Sequence, residues 1–240
     1  MEYDNGEWIM RGVDENDPHR LKSPDELIDY VNEVGFLPLF KNSVPGFSVE
    51  EKTVPYHWWS DDPECDPWMW RGIVAESGKT AYGKFFEGKA GFISLEWFPV
   101  FANYRRNGYD FDSRWEDGKA NIRLKKIMDH FQNGEEHFSH ELKRVSGFGK
   151  DGEKNFEGCV TELQMETYLV IRAFRSKLNK KGEPYGWPIT VYTAPESLWG
   201  SEMFSVCYKE DPMESFERLS GQLKKICPGI EDKQIRKILR

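Results

Sequence analysis

Aromatic rings restrict this chain's folding more than any other feature. Sixteen phenylalanines, ten tyrosines and nine tryptophans make up 15% of its 240 residues. Each such side chain buries a large area, so the core must be built largely from ring packing. A chain of this length forms one large domain or two small ones, with ample interior for such a core. No apolar run reaches the roughly 20 residues that a membrane helix needs. Residues 1–8 are acidic and lack the basic-then-apolar order of a secretory leader. Cys65, Cys159, Cys207 and Cys227 are scattered, with no CxxC pair. That usage fits reduced thiols in a cytoplasmic protein.

The formal charge of −8 speaks against a protein that coats nucleic acid indiscriminately. Its distribution is uneven. Residues 1–66 hold 16 Asp/Glu against 5 Lys/Arg, which leaves 25 acids and 28 bases for the rest of the chain. An acidic front on a body that faces a polyanion has this asymmetry, and so does an ordinary solvated surface.

Residues 1–22 are polar and read as an irregular segment. Ser23-Pro24-Asp25-Glu26 opens a helix with a cap, a proline at the first helical position and a carboxylate at the third. Leu27, Ile28, Val31 and Val34 form its apolar stripe, and Gly35 ends it. Residues 42–67, with four prolines, read as a loop long enough to suggest a role. Trp68–Glu76 reads as a short helix, and Thr80–Phe86 with Lys89–Ser94 as a hairpin turning at Glu87-Gly88. Ser94 caps the segment Leu95–Arg106, which Pro99 bends or delays.

Ala120, Leu124, Ile127 and Phe131 recur at helical spacing over Lys119–Phe131, and Asn133-Gly134 stops that helix. Ser139–Val145 follows as a shorter helix. Beyond a Gly/Lys-rich connection, Ser146–Gly158, the pattern predicts a long helix from Thr161 to about Leu178, burying Leu163, Val170, Phe174 and Leu178. A basic turn Asn179–Gly186, a strand Trp187–Thr193, a capping box at Thr193-Ala194-Pro195-Glu196 and a strand Met203–Tyr208 come next. Two helices, one opened by Asp211-Pro212 and one after Cys227-Pro228-Gly229, complete the chain. No internal repeat is visible.

The order over 119–193 outlines a winged helix-turn-helix, whose third helix enters the major groove while a hairpin wing lies on the backbone. The expected class is α+β, mostly helical, with winged helix-turn-helix elements and small antiparallel hairpins. The expected division is an N-terminal winged-helix-like α/β region over 23–118 and a C-terminal winged-helix region with terminal helices over 119–240.

The densest basic run is Arg172, Arg175, Lys177, Lys180 and Lys181, with no acid between Glu166 and Glu183. It suits phosphate contacts, and equally a helix C-terminus, where cations complement the dipole. Arg105-Arg106, with Arg123, Lys125 and Lys126, extend it if they share its face. Gln164-Met165-Glu166-Thr167 sets an amide and a carboxylate two residues apart. Such a pair can orient water and steady a sugar cation, the work of an N-glycosidic hydrolase. Gln164 also fits a structural role, at the third helical position of a capping box begun by Thr161.

His57-Trp58-Trp59, Asp61, Asp62, Asp66, Trp68 and Trp70 combine rings with carboxylates, which suits stacking on a base or sugar, or pinning the long loop to the body. His130, His137 and His140 lie near Glu135, Glu136 and Glu141 but match no zinc spacing, so no metal is expected. P-loop, GxSxG, HExxH and strand-borne GxGxxG motifs are absent, and no cofactor is expected.

Several strings together resemble the winged-helix DNA glycosylases of the AlkZ type and their shorter AlkZ-related relatives. They are Trp68-Met69-Trp70-Arg71, Tyr82-Gly83-Lys84, Gly91-Phe92-Ile93-Ser94, Trp97-Phe98-Pro99 and Tyr104-Arg105-Arg106, followed by Tyr185-Gly186-Trp187-Pro188 and Pro195-Glu196-Ser197-Leu198-Trp199-Gly200. The likeness spans about residues 23–208. Gln164-Met165-Glu166 has the form of that family's signature: glutamine, an apolar residue, then glutamine or a carboxylate. In the family the signature precedes the aromatic middle section; here it follows by roughly sixty residues, and Gly35-Phe36-Leu37-Pro38-Leu39, at the matching place, holds neither amide nor acid.

The resemblance implies a DNA-binding protein that excises alkylated bases without a cofactor. Glu166 would activate water and Gln164 would hold water or sugar. Arg172, Arg175, Lys177, Lys180, Lys181, Arg105 and Arg106 would grip phosphate, and Trp58, Trp59, Trp68 and Trp70 would meet the extruded base. The other reading is a non-catalytic protein that holds a small ligand or a protein partner with the segment 57–70.

Overall fold

The computed structural model describes residues 2–4 and 7–240. Strands β1 (Glu2–Asp4) and β2 (Glu7–Ile9) pair antiparallel where an irregular segment is expected; Met1, Asn5 and Gly6 lie outside the described residues. Helix α1 (Pro24–Val34) begins as its sequence dictates: the Ser23 hydroxyl accepts the Glu26 N–H at 3.2 Å, with Pro24 in the first turn. It buries Leu27, Ile28, Val31 and Val34. Gly35 ends it at φ +92°, and a Cβ there would lie 2.7 Å from the Trp97 ring, so both the turn and the close approach require glycine.

Strand β3 (Phe36–Pro38) follows, and then the long segment over 42–67. It is folded down rather than free: Val44, Phe47, Val49 and Val54 are buried, and it makes short 3-10 turns at Glu50–Lys52 and Pro55–His57. Buried Glu50 accepts the backbone N–H groups of Arg11 and Lys41 at 3.1 and 2.9 Å, which ties the chain's front to this segment. Helix α2 (Pro67–Ser77) leads into β4 (Thr80–Phe86) and β5 (Lys89–Ser94), joined at Glu87-Gly88 as expected. Both turn residues have positive φ, +54° and +72°, the geometry that matches strand twist. Helix α3 (Phe98–Arg106) starts late, with Pro99 in its first turn, and α4 (Phe111–Glu116) follows.

The second half contains α5 (Ile122–Met128), extended by a 3-10 turn to Phe131, then β6 (His137–Phe138), α6 (Ser139–Val145) and α7 (Phe156–Met165). Here the expected long helix fails. It ends at Met165, and the residues expected to continue it form β7 (Val170–Leu178), paired antiparallel with β8 (Pro184–Thr193). Tyr168 is aromatic and Val170 and Ile171 are β-branched, which suits a pleated strand better than a helix. Thr193 is a strand residue whose hydroxyl bonds the Glu135 carbonyl, so Ala194 rather than Thr193 precedes α8 (Pro195–Trp199), and no side chain caps that helix. Residues Ser201–Tyr208 form a 3-10 helix, not a strand. Helices α9 (Pro212–Ile226) and α10 (Asp232–Leu239) complete the α+β fold.

The two three-stranded sheets share one spatial order although the sequence shows no repeat. It is β3-β5-β4 in the first and β6-β8-β7 in the second, antiparallel throughout. Their neighbours are exchanged: α2 packs on β7, α7 packs on β4, and β4 meets β7. The core is continuous across the expected division at 118/119, and α9 returns to cover α3. Among the described residues, no helix is long and apolar enough to cross a membrane.

Phe36 sits at the centre of the ring packing. Its centroid lies 4.9 Å from Phe101, 6.0 Å from Phe47, 6.2 Å from Trp97 and 6.4 Å from Phe86. Phe36→Ala should cost about 3–5 kcal/mol in urea unfolding, whereas a loss under about 1 kcal/mol would mean that the rings repack without it.

Candidate nucleic-acid interface

The end of α7 organises everything around it. Thr167 N–H bonds the Gln164 carbonyl at 2.9 Å and Tyr168 N–H bonds the Leu163 carbonyl at 2.8 Å, a Schellman termination. The left-handed residue it needs is Thr167, at φ +63°, where glycine is usual. A β-branched residue there is strained. Buried Arg106 holds it: its Nε donates to Thr167 Oγ1 at 3.2 Å and its Nη2 to the Thr167 carbonyl at 2.7 Å. Arg106 also donates to Glu196 at 2.5 Å and to the Tyr208 hydroxyl at 3.0 Å. Burial lowers its pKa, but the Glu196 and Tyr208 interactions outweigh burial and the net shift is upward.

Gln164, expected beside a reacting sugar, is fully buried. Its amide is committed at both ends. Oε1 accepts the Lys84 backbone N–H at 3.0 Å, and Nε2 donates to the Val160 carbonyl at 2.8 Å. Lys84 lies where β4 and β5 shift register, between Gly83 and Phe86, so the glutamine supplies the acceptor that the strand partner does not. Glu166 lies at the surface end of the helix, gripped by both guanidinium nitrogens of Arg114, one at 2.8 Å.

The seven cations expected on phosphate separate into two groups. Arg172 donates to the Ala75 and Glu76 carbonyls at the end of α2, at 3.3 and 2.7 Å, and pairs with Glu136 at 3.2 Å. Arg175 pairs with Glu136 at 2.6 Å and lies 3.8 Å from Glu76. Arg105 donates to the carbonyls of Met165, Leu239 and Ile238, closing two helix ends, and burial pulls its pKa down to about 9. With Arg106, these four are all engaged by partners within the protein itself. Lys177, Lys180 and Lys181 instead lie at the free end of the β7–β8 hairpin, the latter two exposed, and none has an ion-pair partner among the described residues.

Of the expected stacking residues, Trp58 and Trp70 are buried, donating to Thr53 Oγ1 and to the Glu64 carbonyl. Trp68 is half-buried beneath the Arg71 guanidinium, 3.7 Å from its ring centroid, with Phe174 at 4.0 Å on that guanidinium too. Trp59 alone of the four is exposed. Asp66 accepts the N–H groups of both Trp59 and Trp68, so segment 57–70 is mainly pinned to the body. The three expected histidines stay apart from any metal-holding arrangement: among the described residues, no three His, Cys, Asp or Glu converge.

Sequence reasoning missed two features. A groove of about 690 Å³ runs along the outer side of α7, lined by Tyr104, Arg105, Glu157, Glu162, Met165 and Glu166 among others. Partial desolvation within that groove, reinforced by the Glu166 carboxylate, raises the pKa of Glu162, though its side chain remains largely exposed. The other is Trp187, the most exposed large apolar side chain of those described. Its signal was the flanking Gly186 and Pro188, one permissive and one unable to donate to a ladder.

Gln164→Leu keeps the volume but leaves the Lys84 N–H without an acceptor. It should cost about 1–3 kcal/mol in chemical denaturation, and an unchanged midpoint would mean that the amide does not brace β4.

Comparison with curated proteins and comparison with solved structures each return no match. One family model matches, described as AlkZ related, over residues 21–240. This chain therefore belongs to the AlkZ-related family.

Proposed function

We propose that this protein binds DNA, in a repair-related role, through the β7–β8 hairpin rather than through α7. Membership of the AlkZ-related family supports the DNA theme. The order α5-β6-α6-α7-β7-β8, helices followed by a hairpin, supports a reading on the winged-helix plan, and the two sheets share one strand order. In that plan α7 is the third helix. Its exposed residues here are Glu157 and Glu162, which repel phosphate, while its inner side is spent on β4. The observation that carries the proposal is the cluster of Lys177, Lys180 and Lys181 at the hairpin's free end, unpaired among the described residues.

A second reading, hydrolysis of an N-glycosidic bond, is favoured by the groove beside α7. Glu162, whose pKa is raised, lines that groove and is the candidate to hold and give up a proton there. Glu166, positioned by Arg114, faces the same groove as an electrostatic partner for a sugar cation, and Gln164 supports the helix from behind. Segment 57–70 is a weaker candidate for a ligand site, because Trp58 and Trp70 are already buried in the protein itself.

Binding of a duplex oligonucleotide across a salt series tests the first proposal. Replacing Lys177, Lys180 and Lys181 together by Gln should flatten the slope of log K against log salt by about 2 to 3, at roughly 0.9 per neutralised phosphate. An unchanged slope overturns it. For the second, methylated DNA is incubated with wild type, Glu162→Gln and Glu166→Gln, and released base is measured. Both variants should release far less than wild type; no release by wild type removes the hydrolytic reading while leaving the binding one standing.

A further inference from the structure

The β7–β8 ladder carries an irregularity at its outer end. Arg175 faces Ile189 and Lys177 faces Tyr185, so a single β7 residue, Ser176, stands opposite three on β8: Gly186, Trp187 and Pro188. Surplus residues in one strand bend it and re-aim its side chains. Gly186 adopts φ +72°, with open space around it, and Pro188 has no N–H to return to the ladder. The result is an indole 91% exposed to water, with no hydrogen bond, ring contact or cation contact among the described residues. Tyr185 and Leu178 nearby are also more than half exposed. A large ring held out on a bulge, on the same hairpin as three lysines free of ion pairs among the described residues, is built to meet a partner that is both flat and anionic.

We propose that Trp187 is a stacking platform for an unpaired nucleobase, so that the hairpin prefers DNA carrying an unstacked nucleotide over an intact duplex. This rests on the DNA-binding reading above and adds the structural class of DNA. The lysines supply the sequence-independent grip on phosphate, and the ring supplies a face that any base can cover once it leaves the helix. An intact duplex offers the lysines their phosphates but gives the indole no free base. The bulge takes no part in the core, so removing the ring leaves the fold intact.

The test uses the full chain and fluorescence anisotropy with three labelled probes: an intact duplex, the same duplex with one unpaired nucleotide, and the single strand. Wild type should bind the interrupted duplex about tenfold more tightly than the intact one. Trp187→Ala should remove that preference while keeping intact-duplex affinity and the thermal midpoint, and Trp187→Phe should restore much of it. Equal binding of both duplexes by wild type, or a preference that survives Trp187→Ala, overturns the proposal while leaving DNA binding in place. Failure to bind any probe at low salt removes the DNA reading and this one with it. Binding to vesicles containing phosphatidylserine that depends on Trp187, without discrimination among the DNA probes, overturns it in favour of a membrane surface.

Discussion

Arg106 holding Thr167 in the left-handed conformation is the contact on which the second half of the molecule depends. By fixing that residue it ends α7 at Met165, one residue after Gln164, and turns the chain into β7. The turn takes the chain out of the helix direction and into the second sheet, where β7 pairs with β8. The guanidinium is buried, so its charge needs the Glu196 carboxylate and the Tyr208 hydroxyl. Removing one partner from such a buried pair typically costs about 3–5 kcal/mol, which makes this turn a structural commitment.

The same economy governs the other arginines. Arg105 closes the ends of α7 and α10, Arg172 closes α2, Arg175 joins Arg172 on Glu136, and Arg114 clamps Glu166. Cations at helix C-termini satisfy carbonyls and oppose the dipole together. With Arg106, these five guanidinium groups join the protein's own elements, and lysines are left at the hairpin end. Guanidinium forks fit fixed, planar arrangements, and ammonium groups on flexible stems suit a diffuse phosphate surface. A chain of net charge −8 can still meet DNA, because the relevant field is local to that hairpin.

Much of the fold was legible in the residues because it is governed by local chemistry. The Ser23-Pro24 start of α1, the Glu87-Gly88 turn between β4 and β5, the extent of α6 and the Asp211-Pro212 start of α9 all follow from caps, prolines and turn residues. The helix predicted through Leu178 failed for an equally physical reason. Leu163, Val170, Phe174 and Leu178 satisfy helical spacing, but Thr167, which breaks it, carries no local mark. Its conformation is imposed by an arginine 61 positions earlier. The strand expected at Met203–Tyr208 failed similarly, since a short apolar run does not distinguish strand from helical turn.

Taken alone, the amino-acid order determined a ring-packed α+β protein with a cationic stretch near residue 177 and an amide–carboxylate pair at Gln164 and Glu166. What it left open was which of those groups face outward, and only the tertiary structure decided that. Burying Gln164 against Lys84, turning Arg172 and Arg175 onto Glu136 and extruding Trp187 on a bulge all result from pairings between residues far apart in the chain. Local propensity has no access to such pairings, because a polar side chain is directed inward only where a distant partner satisfies it.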